Sequence, residues 1–438
     1  MTHTIMANNV TIVPVRNHLT YALLRNGKWQ LIAILVLAFV TRVGYLGTLG
    51  YIGDMTTFNG PWAKAIHSEG LFNIYSADKS ANYPPIYMGI LWLSGTLQPP
   101  YNRILLQMNF VIVLKLFSVA AELAIIALVY RWLPSNHRIK WLLPLGIAVY
   151  PGLIATSAFW GQSDSLLGLF IALALLALNK DRPRAAWLWF ALALLMKFQA
   201  VVLLPLMGIL TFRRYGWQRT FGAVLLAALL FGLIYLPFIV ANGTEYALRP
   251  YLGTVDQYPI VTANAFNLWF ATTPGIWSSV PANIGLDVPR DTTLWLGNLT
   301  YKQVGLYLFA AQVAVICWIM WRQSRKRYEF VWASALYLAF FVLPTQIHER
   351  YLYQAALLAV IAIDQEKTML WVAAGLVVTY TYNIIAITDK PFVWLGIDFF
   401  ALLGNIALVV ALLNLLLLMI MNGIMLWRAR PIPIPAHD

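Results

Sequence analysis

Charge is what this chain has least of. Only 11% of its 438 residues are Asp, Glu, Lys or Arg and 61% are hydrophobic, whereas soluble domains carry roughly 25% charged and 45–50% apolar residues. That balance excludes a soluble enzyme. Cysteine is nearly absent: Cys317 stands alone in the apolar run VAVICWIM, so neither a disulfide framework nor a cysteine metal site can be built, and the thiol reads as packing. Acids are also scarce, 17 against 30 Lys and Arg, for a formal charge of +13. The basic excess lies in short clusters between apolar runs, where such residues orient membrane helices, and so argues against a nucleic-acid partner. No H-E-x-x-H, Gly-rich nucleotide loop or Ser/His/Asp order is present, leaving metalloprotease, ATPase and hydrolase readings without support.

What the chain does have is apolar runs. A crossing needs about 20 residues, so a dozen crossings use on the order of 240 and leave the rest for loops. The fold class expected is an all-α polytopic membrane protein with about twelve transmembrane helices, within a range of about ten to thirteen. The runs fall at 29–49, 104–130, 141–157, 165–179, a pair of half-length segments across 185–212, then 220–240, 302–322, 330–346, 351–363, 369–388 and 396–426. Residues 29–426 form one transmembrane domain, with a cytoplasmic segment 1–28 and a cytoplasmic tail 427–438. Arg16, Arg25 and Lys28 precede the first run without an acid, which places the N-terminus in the cytoplasm; no A-x-A-like site closes the run as in a cleaved signal. The clusters Arg131/Arg138/Lys140, Lys180/Arg182/Arg184, Arg213/Arg214/Arg219, Arg322/Arg325/Lys326/Arg327 and Arg428/Arg430 all fall on one side if 185–212 enters and returns. One straight crossing there would put Arg213, Arg214 and Arg219 outside and reverse every later span.

On this topology the long loops 50–103 and 241–301 are extracytoplasmic, and the chemistry belongs with them. The first loop carries MTTFNGPWAKAIHSEG, expected as a helix along the membrane surface, and a second helix after Pro84-Pro85, since Pro is tolerated in a first helical turn. The second holds Tyr246, Tyr251, Tyr258, Trp269, Trp277 and Trp295, which suit the headgroup layer. No repeat is evident, and only the tail PIPIPAHD reads as unstructured.

Few residues are placed to do chemistry. Asp54, just beyond the first span, is a candidate general base, because partial desolvation raises a carboxylate toward the range useful for accepting a proton; the alternative is a helix N-cap. Asn82-Tyr83-Pro84-Pro85 is a rigid turn. In Phe159-Trp160-Gly161-Gln162-Ser163-Asp164, Gln162 and Asp164 can hydrogen-bond sugar hydroxyls, or Ser163 or Asp164 can cap a helix. Lys197 and Gln199 interrupt the apolar LLMKFQAVVLLP; an intramembrane cation is costly unless paired or functional, and at a hairpin tip it could hold a lipid phosphate or merely snorkel. Lys115 and Glu122, seven residues apart on one helix face, read as structural polar contacts. Thr345-Gln346-Ile347-His348-Glu349-Arg350-Tyr351 sets three ionisable groups at the membrane boundary: Arg350 can grip a phosphate, His348 can add a donor, and Glu349 can orient one of them, unless the segment is a plain salt-bridged turn. Lys390, beside Asp389 and before Pro391, lies on the same face and can either join the phosphate site or sit in an exposed Asp-Lys-Pro turn.

The acid after span one, NYPP, FWGQSD, LLMKFQAVVLLP and TQIHERYL occur in an order that resembles the GT-C superfamily of polytopic glycosyltransferases. The chain is most similar to bacterial relatives of the second mannosyltransferase of glycosylphosphatidylinositol assembly, and Asn264-Ala265-Phe266-Asn267-Leu268-Trp269 matches a further stretch. The resemblance covers about residues 30 to 360. It implies transfer of a hexose, mannose by family default, with inversion, from a polyprenyl-phosphate donor to a hydroxyl of an envelope glycolipid, glycan or protein outside the cytoplasmic (inner) membrane. Asp54 then corresponds to the family's acid and base, while Lys197, His348 and Arg350 bind the donor phosphate and stabilise it as it departs. Tyr83, Gln162, Asp164, Gln199, Glu349 and Asn267 form the substrate-binding set. Some relatives carry a second acid nearby and use a divalent metal; here Asp54 is followed by Met55, Thr56 and Thr57, so no cofactor and no essential metal are expected. The rival is a glycolipid flippase or polysaccharide exporter, which should show matched halves and midplane polar groups. An O-antigen-type ligase should gather arginines in one large loop, but 241–301 has only Arg249 and Arg290.

Overall fold

The computed structural model describes residues 27–48, 50, 52–97, 104–134, 140–253, 257–273, 275–276, 288–324, 326–388 and 406–429; Trp277, Asp389, Lys390, the N-terminal segment 1–26 and the tail 430–438 lie outside them. Helix α1, Gly27–Leu46, buries Ile34, Ala38, Arg42 and Tyr45 along one face, the spacing of a helix packed on one side only. After it, Ile52–Asp54, a π-helical turn Met55–Asn59 and Gly60–Glu69 run together as α2. Helix α3, Pro85–Leu97, starts at a proline whose missing N–H costs nothing in a first turn. The two helices expected in the first loop are therefore both present. Helix α4 is Ile104–Trp132; α5, Leu142–Ala148, and α6, Pro151–Trp160, meet at a 45° bend; α7 is Asp164–Asn179 and α8 is Pro183–Met196.

The pair of half-length segments takes shape around Lys197, whose extended backbone (φ −159°, ψ 136°) ends α8 before a 3-10 turn, Phe198–Leu203. Helix α9, Leu204–Ala247, follows and is broken at Gly216 (φ 76°) and Gly243 (φ 74°), left-handed positions that glycine adopts without a Cβ penalty. Trp187 in α8 donates to Thr211 in α9, so the two run side by side from the tip. The second loop holds a short helix α10, Leu268–Thr272, and an antiparallel hairpin of β1, Leu294–Leu296, and β2, Leu299–Thr300. Then come α11, Tyr301–Arg322, opened by a Thr300/Gln303 capping box, α12, Glu329–Val342, α13, Tyr353–Ala362, α14, Met369–Ile387, and α15, Ala407–Ala429. Nearly every residue of α12 and α13 is buried. They form the centre around which the lipid-exposed helices pack.

Among the described residues six helices are long and apolar enough to cross a membrane, or seven when the bent pair α5–α6 is one span. The protein is thus an all-α membrane protein. Other apolar helices, α3, α7, α8 and α12, are shorter, and the long stretch Phe198–Leu252 is one continuous run despite its glycine breaks, so the expected dozen does not appear as a dozen full-length helices. The basic clusters gather at one end: Arg214 pairs with Glu329, Arg327 with Asp181, Arg428 with Glu366, and Lys326 donates to the Arg428 carbonyl.

Candidate active site

At the opposite end a cavity of about 790 Å³ opens between α2, the turn before α3, the α6–α7 junction, the break after α8, the second loop and the turn joining α12 to α13. Asp54, Tyr83, Gln162, Lys197, Gln199, His348, Glu349 and Arg350 all line it. Eight residues spread over three hundred positions converge there because each lies at a helix end on the same side.

Asp54 sits in helical geometry (φ −65°, ψ −32°) and makes no side-chain cap bond. The N-cap alternative is not what its carboxylate does. Its Oδ2 accepts hydrogen bonds from Trp160 Nε1 at 2.8 Å and from Gln162 Nε2. Those donors are delivered by a second π-helical turn, Ala155–Trp160, and by Gly161 in a left-handed conformation (φ 84°). Extra residues of this kind inside helices re-aim side chains and concentrate at functional sites. Both bonds end on Oδ2, and among the described residues Oδ1 carries no hydrogen bond.

Lys197 neither snorkels nor stands free. Its Nζ contacts both carboxylate oxygens of Asp164, at 2.9 and 3.0 Å, with both side chains almost wholly buried, so Asp164 is turned away from the cavity and neutralises the cation. Neither Asp164 nor Ser163 caps α7 with its side chain. Arg350 Nη1 donates to Glu349 Oε1 at 2.8 Å, and the guanidinium lies over the Trp160 ring. Among the described residues Arg350 Nε is buried without a hydrogen-bond partner. Burial first, then the neighbouring Arg350 and Lys197 charges, hold the His348 pKa well below its ordinary value; His348 is a neutral N–H donor rather than a cation. Burial likewise raises the Glu349 carboxyl, with Arg350 opposing it, and pushes the Tyr83 phenol up to about 12.

Asn267 is not part of the cavity wall: its Oδ1 accepts from the Trp269 and Phe270 backbone and its Nδ2 donates to the Phe341 carbonyl, which makes it the cap of α10. Lys115 and Glu122 hold structural contacts, as expected, but with separate partners. Trp160, Lys302, Asn82 and Gln257 line the cavity and escaped the sequence reading as site residues. Asn82 donates to Gln257 across it. Only Lys302 carried a usable signal, a cation at the first turn of a span. The turn at Gln346 is left-handed (φ 63°) without glycine; its backbone N–H bonds to the Ile260 carbonyl and its side chain donates to buried Asp291, a strained position over-determined by its neighbours.

The family model described as glycosyltransferase family 87 matches residues 82–345. The chain belongs to glycosyltransferase family 87. This membrane protein is a glycosyltransferase, which requires a sugar donor and an acceptor, and most of the cavity wall falls within the match. Asp54 lies 28 residues before the match and the His348-Glu349-Arg350 turn directly after it. No curated protein matches the chain.

Proposed function

We propose that this family 87 member is an inverting hexosyltransferase of the GT-C type, resembling the second mannosyltransferase of glycosylphosphatidylinositol assembly. It takes a hexose, mannose by family default, from a polyprenyl-phosphate carrier and passes it to a hydroxyl of an envelope glycolipid, glycan or protein. The observation that carries the reading is the Asp54 carboxylate, bonded on one oxygen by Trp160 and Gln162 and, among the described residues, without a hydrogen bond on the other, in a cavity that also receives Arg350, whose Nε has no partner among those residues. An acceptor hydroxyl is a weak nucleophile. Oδ1 of Asp54 takes its proton as the hydroxyl oxygen bonds to the anomeric carbon, and the bond from that carbon to the phosphate oxygen breaks with its electron pair leaving on the phosphate. Arg350, with Lys302 and the neutral His348, donates to that developing charge. Lys197 keeps Asp164 paired and contributes less charge than an unpaired lysine. Tyr83, Gln162, Gln199 and Glu349 line the space for the sugar.

The orientation proposed is that of the positive-inside rule, with the basic end in the cytoplasm and the cavity outside an inner membrane. The alternation of helix ends supports about twelve passes when α5–α6 is one, the two arms of α9 are two, and the short helices α7, α8, α12 and α13 are included, with α2 and α3 left in the first loop. No essential metal is proposed. Among the described residues no three His, Cys, Asp or Glu side chains stand together as a ligand set, and EDTA treatment is expected to leave turnover unchanged.

The test uses purified protein in lipid, given polyprenyl-phosphate mannose or polyprenyl-phosphate glucose with envelope lipid as acceptor. Release of polyprenyl phosphate by wild type, and its loss in a folded Asp54→Asn protein, is the expected result. Normal release by Asp54→Asn would remove Asp54 as the base, and no release with either donor would turn attention to a flipping assay.

A further inference from the structure

Three polar side chains stand on one face of α4 at successive turns, Lys115, Ser118 and Glu122, all essentially inaccessible to solvent. A charged group inside a membrane helix is costly, and two of them on one face need a reason. Their partners are specific. Lys115 Nζ donates to the Tyr45 carbonyl at 3.0 Å, the Thr48 carbonyl at 2.6 Å and Thr48 Oγ1 at 3.1 Å, tying down the end of α1 that leads into Asp54. Ser118 Oγ donates to the carbonyl of Gln162 at 2.8 Å. Glu122 accepts from Arg42 at 2.6 Å, from Ser157 in the π-helical turn at 2.7 Å, and from Tyr353 at 2.8 Å. Tyr353 opens α13, directly after the turn that carries Arg350.

The backbones are fitted to this face. Gly161 lies so close to the Lys115 stem that a Cβ there would stand 2.9 Å from Lys115 Cγ, and a Cβ on Gly50 would overlap the Phe159 carbonyl. One edge of α4 thus holds three of the segments around the site, those leading to Asp54, to Trp160 and Gln162, and away from Arg350, with no side chain of its own in the cavity wall.

We propose that Lys115, Ser118 and Glu122 are positioning residues for the transfer reaction, acting through the Tyr45 and Thr48 carbonyls at the end of α1 and the backbone of residues 157–162 to keep Trp160 and Gln162 bonded to Asp54. The proposal rests on the reading of Asp54 as the base. It concerns orientation, so its signature is a loss of kcat with the donor KM unchanged, coupled to the residue through which it acts.

The decisive variant is Ser118→Ala, which removes one hydroxyl and no charge. It is expected to lower kcat on the order of tenfold, as small misplacements of catalytic groups do, while Ser118→Thr retains activity. In a Gln162→Leu background the same Ser118→Ala change is expected to have little further effect, because the donor it positions is already gone. An undiminished tenfold loss in that background, or unchanged kcat in the single variant, overturns the proposal. A second readout is the thermal midpoint: a purely structural role lowers it without producing a kcat loss that depends on Gln162. Lys115→Met, with Lys115→Arg as the conservative partner, repeats the test on the α1 side. Retained turnover by Asp54→Asn defeats the reading of the base. Loss in Asp54→Asn with an indifferent Ser118→Ala defeats only the positioning role.

Discussion

At the residue scale the structure decides between chemistries that one letter of sequence leaves open. Asp54 could have capped a helix, but it lies inside one and turns its carboxylate to an indole and an amide across the cavity. Lys197 could have offered a free cation, but Asp164 takes both of its short contacts. A buried pair of that kind is costly to desolvate and contributes little net stability against an apolar pair, while removing one partner alone is severe, about 3–5 kcal/mol. His348 carries the pH dependence at this scale. Its folded pKa lies below its ordinary value through burial and the adjacent cations, so protonation favours the unfolded chain. The stability it contributes is complete above about pH 6.5 and is lost as pH falls toward the depressed folded value. Thermal midpoints measured from pH 7.5 down to 5 should therefore decline in wild type and decline less in His348→Gln. Parallel curves for the two proteins would count against a neutral buried His348.

At the element scale, irregular helices do the positioning. The two π-helical turns, Met55–Asn59 and Ala155–Trp160, flank the Asp54 hydrogen bonds, and neither has a sequence signature that separates it from ordinary helix. Gly161 closes the second turn at φ 84°. Gly161→Ala is expected to cost roughly 1–2 kcal/mol for the left-handed backbone alone, with further strain from the 2.9 Å approach to Lys115 Cγ. The result should be a lower thermal midpoint together with reduced turnover. A midpoint equal to wild type would mean the turn relaxes freely. The tip at Lys197 was legible for a different reason: the basic clusters fall on one side only if 185–212 enters and returns, and Lys197 and Gln199 interrupt that apolar stretch.

At the scale of the whole molecule, charge separates from chemistry. Ion pairs join the short basic turns at one end, and the cavity occupies the other. In a Cys317→Ser background, single cysteines at Arg184 and Lys326 should be labelled by an impermeant thiol reagent from one side of the membrane, and one at Leu296, exposed on the hairpin, from the opposite side. Labelling of the Arg184 and Lys326 positions from opposite faces would sink the hairpin topology. The exposed pair Arg327–Asp181 at the basic end is worth at most about 1 kcal/mol, so its value lies in marking the side rather than in holding the fold.

From the sequence alone came the membrane class, the one-sided basic clusters, the two helices of the first loop and eight of the residues that line the cavity, because apolar length, charge bias and proline at a helix start act locally and leave a mark on the letters. Tertiary structure alone decided which polar groups meet. Asn267 was drawn into capping α10 and Asp164 into pairing Lys197, while Trp160, Lys302 and Gln257 entered the cavity. Hydrogen-bond partners hundreds of residues apart follow from helix packing and from π-helical turns that shift side-chain direction, and a one-dimensional pattern does not encode either. Arg42 shows the same limit: an arginine within an apolar helix is visible as a cost, but its compensation by Glu122, eighty residues on, exists only once α1 and α4 are packed.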